Sequence, residues 1–135
     1  MGMYTGLRFK GIVKPEYRKG FEEIGEFGEW GESKHRLFRN FSYNAGFRST
    51  FIPCGQLCYM PSEWDETNEF NRFYHEKTGK WIFQCSLKNY EGEIDYFLGM
   101  IPEFIEQLDH CEVRYEEWEE SKFYKLVDGQ LKEES

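Results

Sequence analysis

From Lys80 to Lys88 the chain alternates, with Trp81, Phe83, Cys85 and Leu87 on one side and Ile82, Gln84, Ser86 and Lys88 on the other. A period of two is the mark of a half-buried strand. Asn89-Tyr-Glu-Gly92 breaks the pattern, and Ile94, Phe97, Leu98, Ile101, Ile105 and Leu108 then recur at helical spacing. Pro102 falls inside this run and predicts a kink or split near Ile101.

A unit of the same layout begins the chain. Thr5, Leu7, Phe9, Gly11 and Val13 face one way, and Arg8, Lys10 and Ile12 the other. Pro15 suits a first helical turn, where its missing N–H costs nothing. Tyr17, Phe21, Ile24 and Phe27 or Gly28 line one face of the helix predicted after it, and the glycines of Gly25-Glu-Phe-Gly-Glu-Trp-Gly-Glu32 end that helix. Those glycines follow a helix and stand among three glutamates, the wrong order and the wrong charge for a phosphate loop.

Between the two units, Lys34 to Arg48 interleaves Lys34, His35, Arg36, Arg39 and Arg48 with Phe38, Phe41, Tyr43 and Phe47. The pattern predicts a strand pair, aromatics inward and arginines on the wet face, bent at Asn44-Ala-Gly46. Pro53, Gly55 and Pro61 interrupt the short apolar runs that follow, so an irregular insertion is expected over about 49–70. A strand ending near Glu76 joins the Lys80 strand through a turn at Thr78-Gly79. His110 to Glu117 alternates again, with Cys111, Val113 and Tyr115 inward. Lys122 to Val127 and the Asp128-Gly129 turn make a C-terminal hairpin that runs into a charged, frayed end at about 130–135.

Together these elements predict one α+β domain over 1–135: a mainly antiparallel sheet with two helices packed on one face. Two strand–helix units supply the centre, a plan similar to a ferredoxin-like fold with an insertion and a terminal hairpin. At 135 residues the chain can bury a core without disulfides or metal, and the 19% aromatic content supplies much of its apolar bulk.

The net charge of −8 is uneven. Residues 1–50 carry nine Lys/Arg against six acids, 51–100 four against eight, and 101–135 four against eleven. Phosphate backbones and anionic lipid surfaces are bound through Lys and Arg, so general nucleic-acid or membrane binding is not expected. No apolar run is long enough for a membrane span. The N-terminus lacks the basic-then-apolar layout of a secretory signal, and four irregularly spaced cysteines fit reduced thiols, so a cytoplasmic location is expected.

Candidate chemistry is sparse. Cys54-Gly-Gln-Leu-Cys58 is the best metal-ligand pair, but tetrahedral zinc needs two further ligands. His110-Cys111 is the one other tight pair, and neighbours on a strand point to opposite faces. Buried thiols are the expected reading, with no metal and no cofactor. No nucleophile elbow, His-Glu-x-x-His, Walker or dinucleotide fingerprint is present, which leaves enzymatic activity undecided and leaning against.

Two stretches remain. Glu116, Glu117, Trp118, Glu119 and Glu120 form an acidic cluster around an aromatic anchor, suited to docking a basic protein surface. Arg36, Arg39, Tyr43 and Arg48 offer stacking and charge to a small anionic ligand or nucleotide. The first points to a non-catalytic interaction protein, a regulator or inhibitor of the kind met in defence, immunity or mobile elements. The second points to a small-ligand-binding domain. An enzyme whose site assembles from scattered residues is the third class.

Overall fold

The computed structural model describes residues 4–45, 50–55, 72–89 and 92–134. The chain runs β1 (Thr5–Val13), α1 (Pro15–Arg18), α2 (Glu22–Gly25), a 3-10 turn at Trp30–Glu32, α3 (Arg36–Ala45) and α4 (Phe51–Cys54). It continues through β2 (Arg72–His75), β3 (Lys80–Leu87), α5 (Glu93–Phe104), β4 (Ile105–Tyr115), β5 (Lys122–Val127) and β6 (Gln130–Glu133). The fold is α+β, with one six-stranded antiparallel sheet in the order β2-β3-β1-β4-β5-β6. Among the described residues no helix is long and apolar enough to cross a membrane.

β1 lies between β3 and β4, with Phe9 opposite Phe83 on one side and Cys111 on the other. Its alternation sends Leu7, Phe9 and Val13 to the face where the aromatic core gathers. Phe97 of α5 meets Phe9 at 5.7 Å and Trp81 at 5.9 Å between ring centroids. Phe104 meets Phe38 of α3 at 5.0 Å. Phe21 is fully buried, with Trp81 edge-on at 4.9 Å and Tyr74 at 5.0 Å. Edge-to-face pairs at such spacing add to the burial of apolar area. Rings therefore fill much of the core beside its aliphatic side chains.

The predicted hairpins are present. β2 and β3 join through a turn whose Gly79 has φ +75°, and a Cβ there would lie 2.6 Å from the Val13 carbonyl oxygen. Val13 N–H donates to the Gly79 oxygen at 2.8 Å, so the turn is sewn to the end of β1. Asp128 and Gly129 both take positive φ, 53° and 75°, the signature of a two-residue turn matched to strand twist. β6 extends over Gln130–Glu133, inside the end expected to be charged and frayed.

Four expectations are corrected. The strand pair over Lys34–Arg48 is replaced across most of its length by helix α3. Phe38, Phe41 and Ala45 are buried while Arg36, Arg39, Asn40 and Tyr43 are exposed, so the spacings of three and four that resemble alternation mark one face of a helix. The helix after Pro15 is two four-residue pieces, because Lys19 turns extended and Gly20 takes φ +78°. Phe21 and Ile24 still reach the core, and of the two candidates for the next position Gly28 is buried and Phe27 exposed. The helix after Gly92 ends at Phe104, and Ile105 is already in the extended conformation that begins β4, so Ile105 and Leu108 belong to the sheet. Pro102 does not split that helix. It sits two residues before the helix ends at Phe104, so the one hydrogen bond its missing N–H cannot make to the Leu98 carbonyl is lost where the helix is about to stop. Of the expected insertion, α4 is described, with Ile52 non-helical at its centre. The remainder at 56–70 lies outside the described residues.

Candidate functional site

Four strands of the sheet are β2, β3, β1 and β4, and β5 and β6 continue it beyond β4. Tyr124, Leu126 and Leu131 are only half-buried there, each packed against the edge of the core. Between this extension and α5 lies a cleft of about 480 Å³, walled by Ile94, Leu98, Tyr115, Trp118 and Tyr124, with Asn89, Asp95 and Lys122 as polar groups. A second cavity of about 590 Å³ shares Asp95, Leu98 and Tyr124 with it and reaches Gly99 and Leu131. An aromatic concavity with a few converging polar groups is the usual form of a binding site.

The local sequence explains each wall. Asn89 Oδ1 accepts from the Ile94 N–H at 2.9 Å, anchoring the start of α5 and bringing Ile94, Asp95 and Leu98 over the cleft. β4 ends at Tyr115, and Trp118 N–H donates to the Tyr115 oxygen at 2.9 Å, a tight turn that folds the indole back. The Tyr115 and Trp118 rings stand 6.0 Å apart at 68°. Lys122 opens β5 on the same face as Tyr124, and its ammonium lies 4.8 Å above the Trp118 ring, within cation–π range. Burial raises the Tyr124 phenol above its ordinary pKa, with the charges of Glu133, Cys111 and Asp95 adding to the shift. It stays a neutral donor at physiological pH.

The acidic run divides at this point. Glu116 carboxylate accepts from the Tyr4 N–H at 2.5 Å and its own N–H donates to the Tyr4 oxygen at 3.1 Å, so Glu116 ties the turn to the chain before β1. Trp118 is half-buried in the cleft wall. Glu117, Glu119 and Glu120 are exposed.

In the basic stretch, Arg36, Arg39 and Tyr43 share the solvent face of α3, and Tyr43 is 88% exposed. Arg39 Nη1 donates to the Ser33 carbonyl at 2.8 Å, engaged with the turn before its own helix. Arg48 lies outside the described residues. A further groove of about 530 Å³ runs between α3 and α5 over Leu37, Phe41 and Met100, with Asn40 and Asn44 on its rim and Asp95 shared with the cleft.

Sequence reasoning missed a polar row on the opposite side of the sheet. Gln84, Arg8 and Glu112 are direct cross-strand neighbours on β3, β1 and β4, each 5% exposed or less. Arg8 Nε donates to Gln84 Oε1 at 3.1 Å, and Arg8 Nη1 lies 3.6 Å from Glu112 Oε1. His110 Nε2 lies 2.9 Å from Glu112 Oε1, and Ser121 Oγ donates to Glu112 Oε2 at 2.5 Å. Burial alone would push the Glu112 carboxyl up, but the hydrogen bonds from His110 and Ser121 and the Arg8 charge outweigh it and hold the pKa below its usual value. Both donors converge on the carboxylate, and the pairing that activates a serine, histidine to hydroxyl, is not formed here. The cluster instead fastens Ser121, and with it the start of β5, to the sheet.

Among the described residues no group of three or more His, Cys, Asp or Glu is placed to hold a metal. Cys85 and Cys111 face the core as expected, and burial raises both thiols, Cys111 to about 12. Cys54 is half-buried and free, its Sγ 3.7 Å from the Glu26 carbonyl oxygen; Cys58 lies outside the described residues. Compared with family models, curated proteins and solved structures, the chain matches none of them.

Proposed function

We propose that the protein is a non-catalytic interaction domain, a regulator or inhibitor that docks a basic segment of a partner protein at the cleft under α5. One observation carries the reading: Trp118, at the centre of the acidic run, lines a cleft while Glu117, Glu119 and Glu120 stand exposed on the same turn. An aromatic pocket beside exposed carboxylates suits an arginine-bearing strand or loop. The indole and the two tyrosines would supply contact area, and the carboxylates would steer the encounter. The acidic balance of residues 101–135, eleven acids against four Lys/Arg, favours the same class of partner and disfavours nucleic acid.

As part of the same proposal, the order β2-β3-β1-β4 supports a ferredoxin-like plan in which β5 and β6 are additions that build the cleft. Free buried thiols at Cys85 and Cys111 support a reducing, cytoplasmic setting. The alternative, an anionic ligand on α3, would rest on Arg36 and Tyr43, since Arg39 is already engaged.

Selection of a random peptide-display library against the folded protein tests the reading. Enriched peptides are expected to carry arginine or lysine, to weaken as salt rises, and to be lost when Glu117, Glu119 and Glu120 are all changed to Lys. Enrichment of neutral or acidic peptides, or binding indifferent to the triple reversal, would sink it.

A further inference from the structure

The cleft contains its own cation. Lys122 Nζ sits 4.8 Å from the centroid of the Trp118 ring, and Lys122 is the basic residue in the cleft lining. Lys125 and Lys132 pair with each other across β5 and β6 on the opposite face, the parity opposite to that of Tyr124, Leu126 and Leu131. Lys122 is exposed, and β5 is joined to β4 through just two register pairs, Glu112 with Phe123 and Val113 with Lys122. Its exposed four-carbon side chain reaches the ring through the cation–π contact, with solvent on its other side.

We infer that the face of Trp118 beneath Lys122 is a cation subsite, that Lys122 is its resident occupant, and that an arginine of the partner displaces it. This rests on the docking role proposed above and adds its specificity and its regulation. Guanidinium is planar and less strongly hydrated than ammonium, so it stacks on an indole better than Lys122 does. Asp95 also lines the cleft and would offer the incoming group a carboxylate from the α5 side. The displaced ammonium would swing toward the exposed carboxylates of its own turn. A lysine-bearing partner would gain no such advantage, so the subsite selects arginine. Resident Lys122 would also lower the apparent affinity for every basic partner by the fraction of time it holds the ring.

The test uses N-acetyl-arginine methylamide as probe, followed by NMR at the Trp118 indole N–H in the wild-type protein, Lys122→Met and Lys125→Met. Removing the resident cation is expected to tighten probe binding roughly three- to six-fold, the occupancy that an exposed cation–π contact supports. Lys125→Met removes the same charge from the other face and is expected to shift affinity less than two-fold. In the wild type, the Lys122 ε-methylene protons are expected upfield under the indole ring current and to move back as the probe saturates. N-acetyl-lysine methylamide is expected to bind more weakly than the arginine probe. Unchanged or weaker binding in Lys122→Met, while the wild type binds, overturns the subsite and leaves the docking role standing. Equal tightening in both variants shows a charge effect and also overturns it. The absence of a saturable shift in all three proteins overturns the docking role and the subsite together.

Discussion

Replacing Glu112 with Gln removes one negative charge from the row across the sheet and keeps the side chain's size. In the folded protein that carboxylate receives His110 at 2.9 Å and Ser121 at 2.5 Å and faces Arg8 Nη1 at 3.6 Å, with 3% of the residue exposed. A glutamine in its place can still accept one of these hydrogen bonds, but it returns nothing to the Arg8 charge, and its amide protons face donors. Hydrogen bonds to a charged group contribute about 1.5–3 kcal/mol each, and the surviving acceptor recovers part of that, so a loss of roughly 2–4 kcal/mol at pH 7 is expected. The pH dependence sharpens the test. The folded-state pKa of Glu112 lies below its ordinary value, so its contribution is fully present above the unfolded value of 4.5 and is lost as pH falls through the folded value. Urea unfolding of wild type and variant at pH 7 and at successive points below pH 4.5 reads both. The gap between them should close toward acid, because the wild type then loses the same charge. A gap that is constant with pH, or below about 0.5 kcal/mol at pH 7, would refute the role given to this carboxylate.

Two glycines should respond in opposite directions. A Cβ at Gly99, in the middle of α5, meets nothing within 4 Å, so Gly99→Ala is expected to stabilise by about 1 kcal/mol and raise Tm by about 3–5 °C; a fall in Tm would mean that the space is not open. Gly79→Ala adds a Cβ 2.6 Å from the Val13 oxygen at φ +75° and should cost roughly 2–4 kcal/mol, read by urea unfolding; a loss under about 1 kcal/mol would show a turn freer than described.

How much of this is legible in the sequence follows from the range of the interactions. β1, β3, the Thr78-Gly79 and Asp128-Gly129 turns and the inward Cys85 and Cys111 are readable, because alternation and turn chemistry are local. α3 is harder, since Phe38 and Phe41 are three apart and the intervening Arg39 and Asn40 resemble the wet side of a strand; testing positions 37 and 45 against a 3.6-residue period favours the helix. The helix end at Phe104 is hidden because the helical spacing continues without a break to Ile105 and Leu108, which in β4 both oppose inward positions of β1 only through register shifts that no period of two predicts. Of the candidate site, Trp118 and its glutamates are visible as a cluster, but their division into Glu116 as a tether, Trp118 as a wall and three exposed carboxylates depends on Tyr4, 112 residues away from Glu116. The Arg8–Glu112 row leaves no local signal either, since both sit at strand positions that ordinarily face water.

The docking claim is tested most directly by locating an enriched basic peptide on the protein by amide and indole NMR shifts. Saturable movement of the Trp118 indole signal, with the amides of Ile94, Leu98 and Tyr124 and with the buried Trp30 and Trp81 indoles unmoved, is the predicted result. Shifts confined to the face of α3 carrying Arg36 and Tyr43, or to the groove over Leu37 and Met100, would contradict it.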